Sequence, residues 1–122
     1  MILLDTNAVL WLDQNLPRAR PLLRGMRRLY ISPATILELQ FLQEAGRIRM
    51  RSGDVQSVAD DDRWLLDDPP AASWFAVAAG MGWTRDPFDR LIAAHAELRG
   101  WRLATGDVVL LEHLGPRRTI EI

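Results

Sequence analysis

The chain opens with Met1-Ile2-Leu3-Leu4-Asp5-Thr6-Asn7, an apolar run that ends abruptly in three polar residues. A short aliphatic run closed by a polar turn predicts a buried strand, the kind of strand found in parallel sheets. Ligands of open parallel sheets bind outside the carboxyl ends of the strands. We therefore expect Asp5 to lie at a binding crevice.

The rest of the chain alternates short predicted strands with predicted helices. Further strands are predicted over residues 29–31, 102–105 and 119–122. Helices are predicted over residues 8–13, 33–45, 54–66, 71–80, 87–99 and 108–113, with a basic helical segment at 17–25 and a basic connector at 47–53. Ser32-Pro33 and Asp86-Pro87 give the clearest helix starts, because each pairs a capping residue with a proline suited to the first helical position.

This alternation predicts the fold class and the domain organisation. Short strands separated by helices are typical of an α/β/α sandwich around a mostly parallel sheet. The connections are short and no linker divides the chain, so we expect a single domain over residues 1–122.

The composition excludes several kinds of function. The chain has 122 residues, 48% of them hydrophobic and 25% charged, as in an ordinary globular protein. It contains no cysteine, which rules out disulfides, thiolate zinc sites and cysteine nucleophiles. It also contains no lysine, which rules out phosphate-loop ATPases and Schiff-base chemistry. The apolar stretches are too short to span a bilayer and no signal-like start is present, so we expect a cytoplasmic protein with no membrane partner.

Two acids occupy apolar stripes of predicted helices. Glu38 shares its stripe with residues at helical spacing, namely Ala34, Phe41, Leu42 and Ala45. Asp89 shares its stripe in the same way with Ile92, Ala93 and Ala96. Both carboxylates are therefore expected on the side of the helix that faces the core.

Two further acids, Asp5 and Asp107, follow predicted strands directly. A carboxylate held away from water must pair, take up a proton or bind a cation. Each acid alone has a simple structural explanation, as a helix cap, a turn residue or an arginine partner. Four acids in one crevice favour a cation, and oxygen-only ligands suit Mg²⁺ or Mn²⁺, which can activate water against a phosphodiester.

Other polar residues lie beside these acids in the sequence. Thr6, Asn7 and Thr105 could orient the acids or a bound water, although ordinary turn chemistry also accounts for them. Asp86 is expected to cap its helix and could contribute a supporting contact. The two histidines, at 95 and 113, lack metal-like spacing, and the five tryptophans are expected to be core or interface anchors.

Four segments, in their order and spacing, resemble PIN domains of the VapC toxin type. They are Ile2 to Asn7, Ser32 to Glu38, Arg85 to Ala96 and Leu103 to Asp107, and together they span essentially the whole chain. The resemblance implies an acidic quartet of Asp5, Glu38, Asp89 and Asp107, with Asp86 as an extra acid. It further implies a Mg²⁺- or Mn²⁺-dependent endoribonuclease, a homodimer, and a small VapB-like antitoxin partner.

Two alternatives were weighed against this hypothesis. An aspartyl-phosphate phosphatase would need a second aspartate at position 7, and both it and a phospho-receiver domain rely on a lysine. A PIN-like protein that binds or processes RNA without being a toxin remains open, because arginines cluster at 18–28 and 47–51. The sequence does not indicate which RNA is cleaved.

Overall fold

A five-stranded sheet forms the centre of the computed structural model, which describes residues 1–51 and 53–122. The strands are β1 (Ile2–Leu4), β2 (Leu29–Ile31), β3 (Leu65–Leu66), β4 (Arg102–Thr105) and β5 (Thr119–Glu121). Their order across the sheet is β3-β2-β1-β4-β5, and each neighbouring pair is parallel. The chain builds outward from β1 in one direction through β2 and β3, and then continues on the other side of β1 with β4 and β5.

Five α-helices connect and cover these strands. They are α1 (Thr6–Asp13), α2 (Pro33–Glu44), α3 (Ala71–Ala79), α4 (Pro87–Arg99) and α5 (Val108–Leu114). Two 3₁₀ segments, Pro17–Leu23 and Val55–Asp60, complete the connections. None of the helices that the structure describes combines the length and the apolar character needed to cross a membrane.

Hydrophobic residues pack against both faces of the sheet because successive strand side chains point to opposite sides. Ile2 and Leu4 belong to a core cluster with residues of α1, both 3₁₀ segments and Trp64 on one face. Leu3 and Leu103 belong to a second cluster with residues of α3, α4 and α5 on the other face. Both faces are therefore covered, as the apolar run of β1 predicts, and the predicted α/β/α class is confirmed with a sheet that is entirely parallel in the described residues.

The predicted helix over residues 54–66 is wrong. Asp54 caps a short 3₁₀ segment by accepting a hydrogen bond from the Gln56 amide. The acidic run that follows favours turns over helix interior, and the Asp61 side chain binds Arg63 instead of continuing a helix. Leu65 and Leu66 then pair with β2 as an edge strand.

The other predicted elements agree with the structure to within about two residues, which is the usual uncertainty of helix ends. The segment between Pro17 and Leu23 is a 3₁₀ helix, with a second proline inside it. Residues 102–105, predicted as a third strand, form the fourth strand because β3 precedes them. The predicted connector at 47–53 includes residue 52, which lies outside the described residues.

Candidate active site

The candidate site lies where the strand order reverses, between the carboxyl ends of β1 and β4. The two strands pair with Leu4 opposite Ala104, and the Asp5 amide donates to the Ala104 carbonyl oxygen at 3.1 Å. Asp5 follows β1 directly, and Asp107 comes two residues after β4. The first side chains beyond both strands therefore meet at the crevice typical of open parallel sheets.

Asp5 is held rigidly at the bottom of this crevice. Its side chain is 5% exposed and accepts a hydrogen bond from the Ala8 amide at 2.7 Å, which caps α1. Burial and, to a smaller extent, the charges of Asp107 and Glu38 raise the pKa of Asp5 to about 6, against hydrogen bonds from the Thr105 hydroxyl and the Ala8 amide that lower it. Burial and like charges therefore disfavour the ionised form of Asp5.

Thr105 lies between the two strand-end acids. Its hydroxyl interacts with the Asp5 carboxylate, whose pKa it lowers, and accepts a hydrogen bond from the Asp107 amide at 3.0 Å. The Asp107 carboxylate in turn accepts from the Leu110 amide at 3.0 Å and caps α5. A single buried threonine therefore contacts both acids.

Glu38 enters the crevice from α2 with support from two threonines. The Thr6 hydroxyl hydrogen-bonds to the Glu38 carboxylate, and Thr6 Oγ1 lies 3.2 Å from Thr35 Oγ1. Burial raises the pKa of Glu38, and the nearby Asp86 charge adds to this effect, while the Thr6 hydrogen bond opposes it. Thr6 therefore orients Glu38, and Thr35 orients Thr6.

The predicted apolar stripe around Glu38 is partly wrong. Phe41 is 55% exposed and Ala45 is also exposed, whereas the buried residues of α2 are Ala34, Thr35 and Leu39. The buried face of α2 is rotated by about one residue relative to the predicted stripe, and Glu38 lies at the edge of this buried face. The prediction for Phe41 was wrong because its ring packs against the Phe88 ring on the surface and not in the core.

Asp89 lies in the first turn of α4, above buried Ile92, Ala93 and Ala96 as its stripe predicts. Burial, together with the charges of Asp86, Asp107, Glu38 and Asp5, raises the pKa of Asp89 to about 7. Within the described part of the chain, no donor group hydrogen-bonds to its side chain. Asp89 is therefore the carboxylate of the site with the fewest groups that stabilise its charge.

One small cavity of about 50 Å³ brings the four acids together. It is lined by the carboxylate-bearing residues Asp5, Glu38, Asp89 and Asp107, together with Thr6, Asn7, Leu42 and Ile92. This volume admits an ion with a water molecule but not a nucleotide, because one water occupies about 30 Å³ in the liquid. Of the residues predicted to support the acids, Thr6, Asn7 and Thr105 lie at the cavity or bond to its acids.

Asp86 lies outside the cavity lining and caps α4. Its carboxylate accepts hydrogen bonds from the amides of Phe88 at 2.8 Å and Asp89 at 3.2 Å. Its charge still raises the pKa of both Glu38 and Asp89. The predicted capping is thus observed, and Asp86 also contributes to the negative potential of the site.

The donor set fits a divalent cation in its chemistry. All the charged groups that line the cavity are carboxylates, and hard cations such as Mg²⁺ and Mn²⁺ prefer oxygen ligands. Among the described residues, however, no three histidine, aspartate or glutamate side chains form a group that could hold a metal ion as they stand. Like charges repel one another, and Asp5 and Asp107 are turned toward the amides that they cap.

Two contributors to the site were missed by the sequence analysis. Thr35 is a fully buried polar residue three positions before Glu38, and that misplaced polarity was the available signal. Gly106 separates Thr105 from Asp107 and leaves no room for a side chain. A Cβ there would lie 2.8 Å from the Trp11 ring and 2.9 Å from both the Arg18 guanidinium and the Ile122 carbonyl oxygen. No sequence pattern could have revealed this packing.

The histidines and tryptophans lie outside the cavity lining. His95 is fully buried and hydrogen-bonds to Asp67 at 2.7 Å, while exposed His113 stacks on Trp83. Trp64 and Trp74 are buried in the two halves of the core. Trp64 and Trp74 are therefore core residues, as the sequence predicts for tryptophan.

Fold and site together define an α/β protein of the doubly wound kind with an acidic crevice at its switch point. Residues 2–113 match the family model described as the PIN domain. The chain belongs to the PIN-domain family.

Several known proteins resemble this chain over nearly its whole length. Ribonuclease VapC22 of Mycobacterium tuberculosis is 32% identical over 123 residues, which covers 95% of this chain and 94% of that protein. A toxin-antitoxin complex from Klebsiella pneumoniae contains a chain that is 16% identical, with a TM-score of 0.72 and full coverage of both chains. VapBC-1 from nontypeable Haemophilus influenzae is 21% identical, with a TM-score of 0.69 over 99% of this chain and 98% of that one. The two structural likenesses establish the fold.

Proposed function

We propose that this protein is a divalent-metal-dependent endoribonuclease and the toxin of a toxin–antitoxin pair. The convergence of four carboxylates on one small cavity at the switch point carries the proposal. The ribonuclease that is 32% identical over nearly the whole chain supports the reaction type. We further propose that residues 1–122 act as one nuclease domain, since strands from both ends of the chain share one sheet.

We assign Asp5, Glu38, Asp89 and Asp107 to the binding of Mg²⁺ or Mn²⁺. A bound cation would lower the pKa of an attacking water and stabilise charge on the scissile phosphate. The protein itself positions the carboxylates that would bind the cation. Asp5 is fixed by the Ala8 amide and Thr105, and Glu38 by Thr6. Asp89 has the strongest need for a cation, because burial and four other acids disfavour its charge.

A cleavage assay on the purified chain tests this function. We expect cleavage of RNA with Mg²⁺ or Mn²⁺, no cleavage with EDTA, and a loss of at least about a hundredfold in Asp5→Asn and Asp89→Asn. Asp62→Asn is the matched control, because it makes the same chemical change at an exposed acid outside the cavity. Cleavage by Asp89→Asn at the wild-type rate would contradict the assignment.

The partners follow from the proposed toxin role. We propose a VapB-like antitoxin, because several solved structures with this fold are toxin-antitoxin complexes, and a homodimer, as the resemblance implies. RNA cleavage would take place in the cytoplasm. Expression of the chain alone should arrest growth, and co-expression of an antitoxin encoded beside it should relieve the arrest. Harmless expression of folded, cleavage-competent protein would favour RNA processing without a toxin role.

A further inference from the structure

Several apolar residues lie within three positions of the cavity's acids in the sequence, and we call them the apolar rim. Leu37 and Phe41 on α2 are 53% and 55% exposed, and Val108, directly after Asp107, is 65% exposed. Since the cavity is too small for a nucleotide, an RNA strand that delivers a phosphate to it must lie across this rim. The rim therefore determines what the bases of that strand contact.

Two aromatic rings on the rim form a pair that bridges α2 and α4. The ring centroids of Phe41 and Phe88 are 5.8 Å apart, with an interplanar angle of 59°. Phe41 lies one helical turn after Glu38, and Phe88 directly precedes Asp89. Each ring is therefore within one helical turn of one of the cavity's acids.

The charge of the surroundings limits what this pair can bind. The charged groups that line the neighbouring cavity are all carboxylates, so phosphate oxygens would be repelled there unless a cation intervenes. The face of a nucleobase carries no net charge and stacks on aromatic rings whatever its identity. Recognition of unpaired RNA depends on such stacking, whereas the bases of a duplex are not free to stack on a protein.

We propose that Phe41 and Phe88 form a stacking subsite for one unpaired nucleobase beside the scissile phosphate. The proposal deepens the nuclease function and rests on it, because it names the side chains that hold the nucleotide next to the bond that is cleaved. The rings hold a base on the surface while the phosphate next to it enters the cavity. Sequence preference at this nucleotide is weak, since every base has a stacking face.

Binding of single-stranded RNA labelled with 2-aminopurine tests the subsite apart from cleavage. The assay uses the full chain with Asp89→Asn, so that the RNA stays intact, and adds Phe41→Leu or Phe88→Leu. We expect a loss of affinity of about 5- to 100-fold and loss of 2-aminopurine quenching, whereas Phe41→Tyr keeps both. Phe75→Leu is the matched control, because Phe75 is also 55% exposed but packs on Trp74 away from the cavity.

Three outcomes separate the alternatives. Wild-type affinity and quenching in folded Phe41→Leu and Phe88→Leu would overturn the subsite, as would equal binding of a duplex. Unchanged RNA affinity combined with a weakened complex with a co-expressed antitoxin would also overturn it and assign the rings to a protein partner. Ring-dependent RNA binding by a wild-type chain that never cleaves RNA would support the subsite and contradict only the nuclease function.

Discussion

At the scale of single residues, Asp89 has the least favourable environment in the site. It lies half-buried among four other acids, and burial together with their charges raises its pKa to about 7 from 3.8. Between these values the folded protein binds a proton more readily than the unfolded chain does. In the absence of metal, the contribution of Asp89 to the stability of the protein therefore falls as the pH rises from about 4 to 7.

Replacing Asp89 should lower the activity and raise the stability of the metal-free protein. We expect Asp89→Asn to raise the Tm of the metal-free protein by a few degrees at neutral pH, since the uncompensated charge is removed, and to flatten the pH dependence. Scanning calorimetry in EDTA at several pH values measures both effects, with Asp62→Asn as the control. A lower Tm for Asp89→Asn at neutral pH would show that its carboxylate has a stabilising partner.

Gly106 is the residue where packing, rather than charge, fixes the site. An added methyl group would approach Trp11, Arg18 and Ile122 to within 3 Å. We expect Gly106→Ala to destabilise the fold by about 1–3 kcal/mol through overpacking and to reduce RNA cleavage by displacing Asp107. Gly82→Ala provides the comparison, because a Cβ at Gly82 has open space around it. Equal urea midpoints for the two variants would contradict this account.

At the scale of elements, α4 combines the site with a buried polar anchor. Its first turn carries Asp89, and two turns further along His95 and Arg99 both bind Asp67, from the segment between β3 and α3, at 2.7 and 2.8 Å. Burial lowers the pKa of His95, although Asp67 opposes this. Burial alone would raise the pKa of Asp67, but hydrogen bonds from Arg99 and His95 outweigh it and lower the pKa.

Both shifts make this anchor sensitive to acid. The unfolded chain takes up a proton on histidine near pH 6.5 and on aspartate near 3.8, in each case before the folded protein does. The contribution of the anchor is therefore complete above about pH 6.5 and decreases as the pH falls through the two folded-state pKa values. Asp67→Asn should cost about 1–3 kcal/mol at neutral pH by leaving buried groups poorly paired.

Urea denaturation across the acidic range measures this effect. The difference in stability between the wild type and Asp67→Asn should shrink as the pH falls below about 4, because the variant has no carboxylate to protonate. Asp68→Asn, a neighbouring exposed acid, should behave as the wild type. If Asp68→Asn matches Asp67→Asn, the anchor does not stabilise α4.

The elements that the sequence predicted well have strong local signals. The start of α4 was predictable because Asp86 caps it and Pro87 suits its first turn, and Gly100 ends it in the left-handed conformation. The helix predicted over 54–66 was wrong because the conformation of this segment depends on contacts with residues far away in the sequence. Leu65 and Leu66 form a strand only because β2 offers an open edge, and a two-residue strand has no periodicity.

At the scale of the whole molecule, the strand order creates the site. Placing β4 beside β1 brings Asp107 to Asp5 across about a hundred residues of sequence, and the neighbouring helices α2 and α4 bring the other two acids. The sequence predicted that these acids share a crevice because each strand-end or helix-stripe position is a local property. It could not predict the strand order, the threonine contacts or the space at Gly106, which all depend on packing between distant segments.

The central claim is that the four carboxylates form one cation site, and anomalous scattering from crystals grown with Mn²⁺ tests it most directly. We predict a manganese peak in the cavity, with oxygens of at least two of the four carboxylates at roughly 2.0–2.3 Å. Asp89→Asn crystals should show a weaker peak or none, and Asp62→Asn crystals should show it unchanged. An empty cavity at saturating Mn²⁺, or an ion held elsewhere, would contradict the account.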